Sequence, residues 1–496
     1  MIPRLLCSRT LATALVVFTS GCAVGPNYRK PAMAMPAAWT EARVPDEHAL
    51  WQEARPQDEA PRGEWWRLFN DPTLNRLETQ AVQANQTLEA ALARLERARA
   101  EARLPAADLL PTVSTNPSYT NFKHTLGSFG GSGSISDSEF RVPFDLSYEV
   151  DLWGKIRRSF EASRADAQAS RAAYESVLLS VTAETARVHF LLRALDAEQQ
   201  ALAKTVDLRA EAQKVVGQRV EVGLASELDL ARVEAEVKTA ESESLAVQRQ
   251  RDELEHALAV LCGLAAPEFS TPADPLDASP PQIPADIPSR VLERRPDVAE
   301  AERSMAAANA RIGVAKAAFF PVITLAGEAG WQSTKWDGLI SADNRIWSIG
   351  PSISLPLFAG GRNAANLRAA RADHDLAAAN YRQSVLVAMQ EVEDALSAVN
   401  LLAEQQLAQN GVVDASQRAA KMSIDRYTQG LVNFLDVVDA ERARLAAERQ
   451  AAQICGQRMA ASILLIKALG GGWGDFAAVQ HTSAAPSPSR PIQPPR

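Results

Sequence analysis

The sequence predicts an α+β protein built as a tandem structural repeat, each half holding a strand pair and one very long helical hairpin. Three observations lead there. Residues match at a constant offset of 207: Tyr174 with Tyr381, Glu184 with Glu391, Arg219 with Arg426, Gly223 with Gly430, Leu228 with Leu435, Asp229 with Asp436 and Gly263 with Gly470. The apolar period switches from helical to two after Pro111 and again after Pro321. Between Lys155 and Val222 only Gly217 interrupts helix-forming residues, and Ala364 to Gln429 is the counterpart of that stretch.

The first element, residues 1–21, reads as an export signal. Arg4 and Arg9 give a positive start, and Leu11 to Phe18 form an apolar run too short to span a bilayer as a helix. Thr19-Ser20-Gly21 precede Cys22, an arrangement that resembles a bacterial lipobox, although Thr19 stands where that motif usually has leucine. The resemblance implies a covalent lipid on Cys22, and Ala23 in place of aspartate implies sorting to the outer membrane. Residues 22–70 then form an N-terminal segment. No later stretch reaches about 18 apolar residues, so the mature chain can enter a membrane only as strands.

The first repeat covers 71–263, a Pro-rich linker 264–289, the second repeat 290–470, and a Pro- and Ser-rich tail 471–496. The tail is expected to be disordered. Strands are expected at 112–124, 138–150, 322–335 and 345–356. In the second, Phe140, Val142, Phe144, Leu146, Tyr148 and Val150 alternate with Glu139, Arg141, Asp145, Ser147 and Glu149. In the third, Ile323, Leu325, Ala329 and Trp331 oppose Thr324, Glu328 and Gln332. In the fourth, Trp347, Ile349, Ile353 and Leu355 oppose Ser348, Gly350, Ser352 and Ser354. The first is weakly patterned.

A tilted strand crosses a bilayer in roughly 9–11 residues, which strands of about 10–13 residues can do, and Tyr148, Trp153, Trp331, Trp336 and Trp347 lie near strand ends. Half-buried soluble hairpins alternate in the same way. Lipid tolerates no open sheet edge, and a closed membrane barrel has about eight strands or more. A four-stranded membrane sheet must therefore be completed by other subunits. Two copies give eight strands and three give twelve, and the count alone does not choose between them.

The long helical stretches, about 68 residues or roughly 100 Å, exceed anything a globular domain needs. A heptad seam runs through both: Tyr174, Leu178, Val181, Thr185, Val188, Leu192, Leu195, and Tyr381, Val385, Ala388, Val392, Ala395, Val399, Leu402. Leu179, Leu386 and Met389 sit off the seam, so each helix has a second contact face. Shorter helices are expected from Pro72 to Leu104, Glu227 to Cys262, Pro296 to Phe319 and Phe434 to Leu469. Cys262 and Cys455 lie too far apart along these helices for a disulfide and read as packing residues.

The net charge of −8, or −10 once Arg4 and Arg9 are removed, argues against a protein that coats nucleic acid. Four scattered cysteines and six histidines without ligand spacing give no metal site. No phosphate loop, HExxH or G-x-S-x-G asks for an enzyme, and no cofactor beyond the lipid is expected.

The chain resembles the outer membrane factor family, the TolC-like channel proteins, in its OprM/NodT-type lipoprotein branch. The resemblance rests on Gly21-Cys22-Ala23-Val24-Gly25-Pro26 with Tyr28, Trp65-Trp66 with Phe69, and Asp71-Pro72 with Leu74. It continues through Arg294-Arg295-Pro296-Asp297, Ala308-Asn309-Ala310-Arg311-Ile312-Gly313 and Phe319-Phe320-Pro321. Leu357-Phe358, Gly360-Gly361-Arg362, Tyr427 with Gly430, and Asp439-Ala440 complete it.

The resemblance implies a homotrimer with a twelve-stranded barrel in the outer membrane of a Gram-negative bacterium, continuous with a periplasmic helical tunnel. Such a protein is a passive exit duct for small molecules. It docks on a periplasmic adaptor and an inner-membrane pump of the RND type. Gly223-Leu224 and Gly430-Leu431 then become the tips that meet the adaptor. Leu435, Asp436 and Asp439 lie at the periplasmic constriction. Some members link this region through a nearby arginine; the loop here offers Val432 and Asn433, and no such link is expected. The alternatives are a lipid-anchored periplasmic coiled-coil scaffold or adaptor, and a duct for protein secretion.

Overall fold

The computed structural model describes residues 23–31, 39–40, 63–125, 134–281, 283 and 294–471. The signal segment, Cys22 and the tail beyond residue 471 lie outside the described residues. Contacts divide the chain into two compact units, and each draws on both repeats. The first comprises Met1–Ala32, Ala93–Arg171 and Glu300–Gln383, the second Met33–Leu92, Ala172–Ala299 and Ser384–Arg496.

A 3-10 turn, Trp65–Phe69, precedes α1, Pro72–Ala84. Asp71 caps α1, accepting from the backbone N–H of Thr73 and Leu74 at 2.8 and 2.9 Å, and proline occupies the first helical position. The helix expected to run unbroken to Leu104 ends at Asn85, where α2, Gln86–Glu101, begins. Asn85 makes the break stable. Its Oδ1 accepts from the backbone of Thr87 and Leu88, and its Nδ2 donates to the Leu261 carbonyl at 2.9 Å. A short α3, Leu104–Ala107, follows.

The strands are β1, Thr112–Thr115; β2, Ser118–Thr125; β3, Ser134–Val150; β4, Val322–Ser333; and β5, Arg345–Ser354. The expected strand at 112–124 is thus two pieces, both antiparallel to β3. Their register is continuous, with Thr115 opposite Phe144 and Ser118 opposite Arg141. Asn116 and Pro117 therefore face Pro143 and Val142. Proline on both sides removes the ladder donors and interrupts the strand without shifting it. The second strand starts four residues earlier than expected. The sheet order is β1/β2, β3, β4, β5, all antiparallel, and among the described residues the outer edges of β1/β2 and β5 pair with nothing.

α4, Lys155–Glu221, and α7, Arg362–Thr428, have 67 residues each. α5, Glu227–Leu261, and α8, Phe434–Ala468, have 35 each. The starts and ends of both pairs stand 207 residues apart, the offset of the sequence repeat. Gly217 stays inside α4. α6, Pro296–Ala317, precedes β4.

The seams are buried where they meet the shorter helices. Val188 and Leu192 of α4 pack with Leu77 of α1 and Leu258 of α5 around Cys262, whose thiol burial pushes up to about 11. Val392, Ala395 and Leu396 of α7 pack with Leu465, Ala468 and Leu469 around Trp39. A third cluster joins Trp65, Trp66 and Leu74 to Phe190 of α4 and to Met459, Ile463 and Ile466 of α8. Off the seams, Leu179 is buried while Leu386 is exposed. Cys262 and Cys455 are both free thiols.

Candidate functional site

Two surfaces stand out, one in each unit. The first is the sheet. Residues paired across an antiparallel ladder point to the same side, so the register sorts every strand side chain. One face carries Val113, Leu146 and Ile349, then Phe144, Ala329 and Trp347, then Val142 and Trp331. The other carries Ser114, Asp145, Glu328 and Ser348, then Glu149, Thr324 and Ser352. Arg141 donates to Glu328 across this polar face at 2.5 Å. The apolar face is exposed at Val113, Phe144, Trp347, Ile349 and Ile353. Water does not favour a bare apolar sheet face of this kind; lipid does.

The N-terminal segment is stitched to the same unit. Val24 N–H donates to the Trp153 carbonyl at 2.9 Å, Asn309 Nδ2 to the Pro26 carbonyl at 3.1 Å, and Arg158 to Asn27 Oδ1 at 2.7 Å. Tyr28 Oη donates to Glu302 at 2.5 Å; burial, then the carboxylate, hold this phenol protonated far above its usual range. Gly25 has φ +110°, and a Cβ there would stand 2.6 Å from Gly313 Cα, so this approach requires both glycines. Residue 23 lies against Gly154, at the junction of β3 and α4.

The second surface is the pair of hairpin tips. Gly223 and Gly430 have φ +71° and +72°. Leu224 N–H reaches back to the Arg219 carbonyl at 2.7 Å and Leu431 N–H to Arg426 at 2.9 Å, so each long helix ends in a Schellman motif. A Cβ on either glycine would touch nothing, so its backbone angle alone demands glycine. Ser226 and Asn433 then cap α5 and α8, each in a reciprocal capping box with Asp229 or Asp436. Leu224 is 80% exposed, Leu431 64% and Leu435 44%.

The tip residues singled out in the sequence thus have different surroundings. Asp436 accepts from the Asn433 backbone at 3.2 Å, so its carboxylate is engaged in the cap. Asp439 is open to solvent, with Arg442 3.8 Å away on the same helix. Asn433 serves as the cap residue. Contrary to the expectation of no arginine link, Arg219 of α4 donates to Tyr427 Oη of α7 at 2.9 Å, with its guanidinium 5.3 Å from the ring centre; the arginine comes from the end of the helix and not from the loop. Tyr427 packs edge-on against Phe434.

Behind the tips lies a cavity of about 240 Å³ lined by Leu208, Val216, Val233, Phe434 and Val437. Arg209 and Glu236 form its polar wall, 3.2 Å apart, and burial lowers the Arg209 guanidinium below its ordinary value. Sequence reasoning missed an ion-pair ladder here. Arg442 of α8 grips Glu236 of α5, and seven residues on Arg449 reaches Glu243, also of α5, at 2.9 Å and Glu198 of α4 at 2.7 Å. Seven-residue spacing of both arginines and both α5 glutamates was the available signal.

A sheet with one lipid-compatible face, charge on the other and two open edges, continued by helical hairpins longer than any globular core requires, defines a channel-forming outer-membrane protein. Residues 77–264 and 287–471 match the family described as outer membrane efflux protein, one match in each repeat, and the chain belongs to that family. It is similar to the outer membrane protein OprJ of Pseudomonas aeruginosa, with 31% identity over 475 residues, 94% of this chain and 96% of OprJ. The toluene efflux pump outer membrane protein TtgF of Pseudomonas putida is 31% identical over 95% of this chain and 98% of its own. Among solved structures, the outer-membrane channel OprN superposes with TM-score 0.82 at 32% identity, covering 91% of this chain and all of that one. The open state of the Neisseria gonorrhoeae MtrE outer membrane channel superposes at 0.78 with 30% identity over 91% of this chain and 98% of MtrE. The protein is an outer-membrane efflux channel.

Proposed function

We propose that the chain works as a homotrimer, closing a twelve-stranded barrel that serves as the passive exit duct of a tripartite efflux system. The carrying observation is the sheet: an apolar face for lipid, a charged face for a water-filled path, and two edges that only further copies can pair. The energy comes from an inner-membrane pump of the RND type, and a periplasmic adaptor links pump to duct. The exposed leucines of the tips, Leu224 and Leu431, are the adaptor's contact, since isolated loops in water gain nothing from such side chains.

Leu435 and Asp439 narrow the periplasmic mouth. Their side chains stay open to solvent within one copy, which leaves them available to face their equivalents across a three-fold axis. Asp436 supports this constriction through the cap. A ring of like charges repels itself, so the constriction opens readily once the tips part. Cys22 carries the lipid: its neighbour Ala23 packs on Gly154 where β3 gives way to α4, the level of the inner leaflet. The sheet argues against a lipid-anchored scaffold, which has no use for an apolar face outside its helices.

Single-channel conductance in a planar bilayer tests the reading. The wild type is expected to give a small or flickering conductance that rises in Leu435→Ala/Asp439→Ala by about an order of magnitude. Stable pores unchanged by the substitutions would remove the constriction and keep the duct. No conductance from folded protein would remove the barrel.

A further inference from the structure

The two sheet faces differ in the sign of their charge as well as in polarity. All five carboxylates within the strands, Asp137, Glu139, Asp145, Glu149 and Glu328, fall on the polar face. The apolar face holds two cations instead. Lys123 is paired with Ser136 and Arg345 with Trp331, so both point to the side of Tyr119, Phe140 and Trp331. Lys335 joins them two residues past the end of β4. Its neighbour Trp336 folds its ring onto Phe140, 5.6 Å between centres, which brings this turn over the apolar face. Lys123, Lys335 and Arg345 are all exposed, and among the described residues none is in an ion pair.

All three sit at the hairpin end of the sheet, away from the ends that lead into helices. A cation on a lipid-facing strand is costly in mid-bilayer and nearly free at the interface, so this end marks the outer headgroup level. Aromatic rings stand among these cations: Tyr119 and Phe140, 4.7 Å between centres, occupy a row between those of Lys123 and Arg345, and Trp331, beside Arg345, lies 6.5 Å from Phe144; Leu146, Ile349 and Ile353 follow toward the helices. From the hairpin end, this face therefore carries cations interleaved with aromatic rings, then aliphatic side chains. The turn's carboxylates, Asp337 and Asp343, lie outside the strands.

We propose that this face binds a phosphorylated, multiply acylated lipid of the outer leaflet, of the lipid A type. Lys123, Lys335 and Arg345 take the phosphates, and the aromatic and aliphatic rows take the acyl chains. Charge complementarity carries the assignment: the outward face has cations and no strand carboxylate, and a zwitterionic lipid would ask for neither the excess nor its placement. The inference rests on the membrane-spanning reading of the sheet.

The test is native mass spectrometry of the full-length protein in detergent, titrated with diphosphoryl lipid A, with dephosphorylated lipid A and with inorganic phosphate. Diphosphoryl lipid A is expected to bind the wild type about tenfold more tightly than the dephosphorylated form. Lys123→Gln/Lys335→Gln/Arg345→Gln should erase that difference while keeping oligomer mass and conductance. Equal binding of the two lipids, or an unaffected triple variant, overturns the proposal. So does full competition by inorganic phosphate, which would assign the site to a free anion. Protein that neither assembles nor conducts would overturn the membrane-spanning reading itself. Assembled, conducting protein without lipid discrimination overturns this inference alone.

Discussion

Two buried acids show how far a single residue's surroundings decide its charge. Asp71 is withdrawn from water, which by itself would raise its pKa. Hydrogen bonds from His189 at 2.8 Å and from the Leu74 backbone, with the charges of His189 and Arg193, outweigh burial and hold the carboxyl below its usual range. Glu78 is buried more deeply, has no charged partner among the described residues, and burial outweighs the one backbone N–H near it, that of Ala186, so its pKa is driven well above normal. Asp71 therefore ties three parts together as an anion: it caps α1, and through Arg193, 3.1 Å from Asp274, it fastens the linker to α4. An acid with a depressed folded pKa stabilises fully above its unfolded value of about 3.9, and the stabilisation is lost as pH falls toward the folded value. Asp71→Asn is expected to cost about 3 kcal/mol at neutral pH, because Arg193 loses a buried counter-charge. In thermal melts the deficit against wild type should be constant above about pH 5 and shrink below about pH 4. A deficit independent of pH across that window would mean that Asp71 acts only as a neutral cap.

At the scale of elements, what the sequence made legible is what is local. The long helices announce their ends with glycine followed by leucine and a Ser or Asn cap, and a copy 207 residues away repeats the message. Breaks that depend on a partner were not legible. Asn85 stops α1 because its amide finds the Leu261 carbonyl from α5, and the strand is interrupted at Asn116-Pro117, where Pro143 of β3 faces Asn116. The ladder between α5 and α8 is equally non-local, and its rungs differ in weight. Glu198 is 2% exposed and Arg449 is its only cation in the ladder, whereas Glu236 keeps Arg209 if Arg442 is removed. Arg449→Met is expected to destabilise by about 3 kcal/mol, since it leaves a buried carboxylate unpaired. Arg442→Met, whose side chain is more than half exposed, should cost about 1 kcal/mol or less. Limited proteolysis of the hairpins across a temperature series checks the order. Equal effects would mean that the two rungs act as one unit.

For the whole molecule, the proposed barrel closes only with further copies, and the side chains on the sheet's polar face bear on how many. An eight-stranded barrel has an interior just wide enough for side chains to fill. The polar face here projects long ones: Glu139, Arg141, Glu149, Glu328 and Gln332. Two copies would close a barrel whose interior these residues plug, with paired charges such as Arg141 and Glu328 packed around the axis. Three copies, as proposed, would widen the barrel, leave the same residues lining water, and permit conduction. Alternation within each strand was readable in the sequence; this choice needed the register, because only the register shows that the polar faces of β3 and β4 lie on the same side of the sheet. Native mass spectrometry of detergent-extracted protein is therefore expected to give a mass of three chains. A two-chain mass combined with no conductance would replace the duct by a closed plug. A two-chain mass with conductance would mean that the water path does not run through the barrel these strands form.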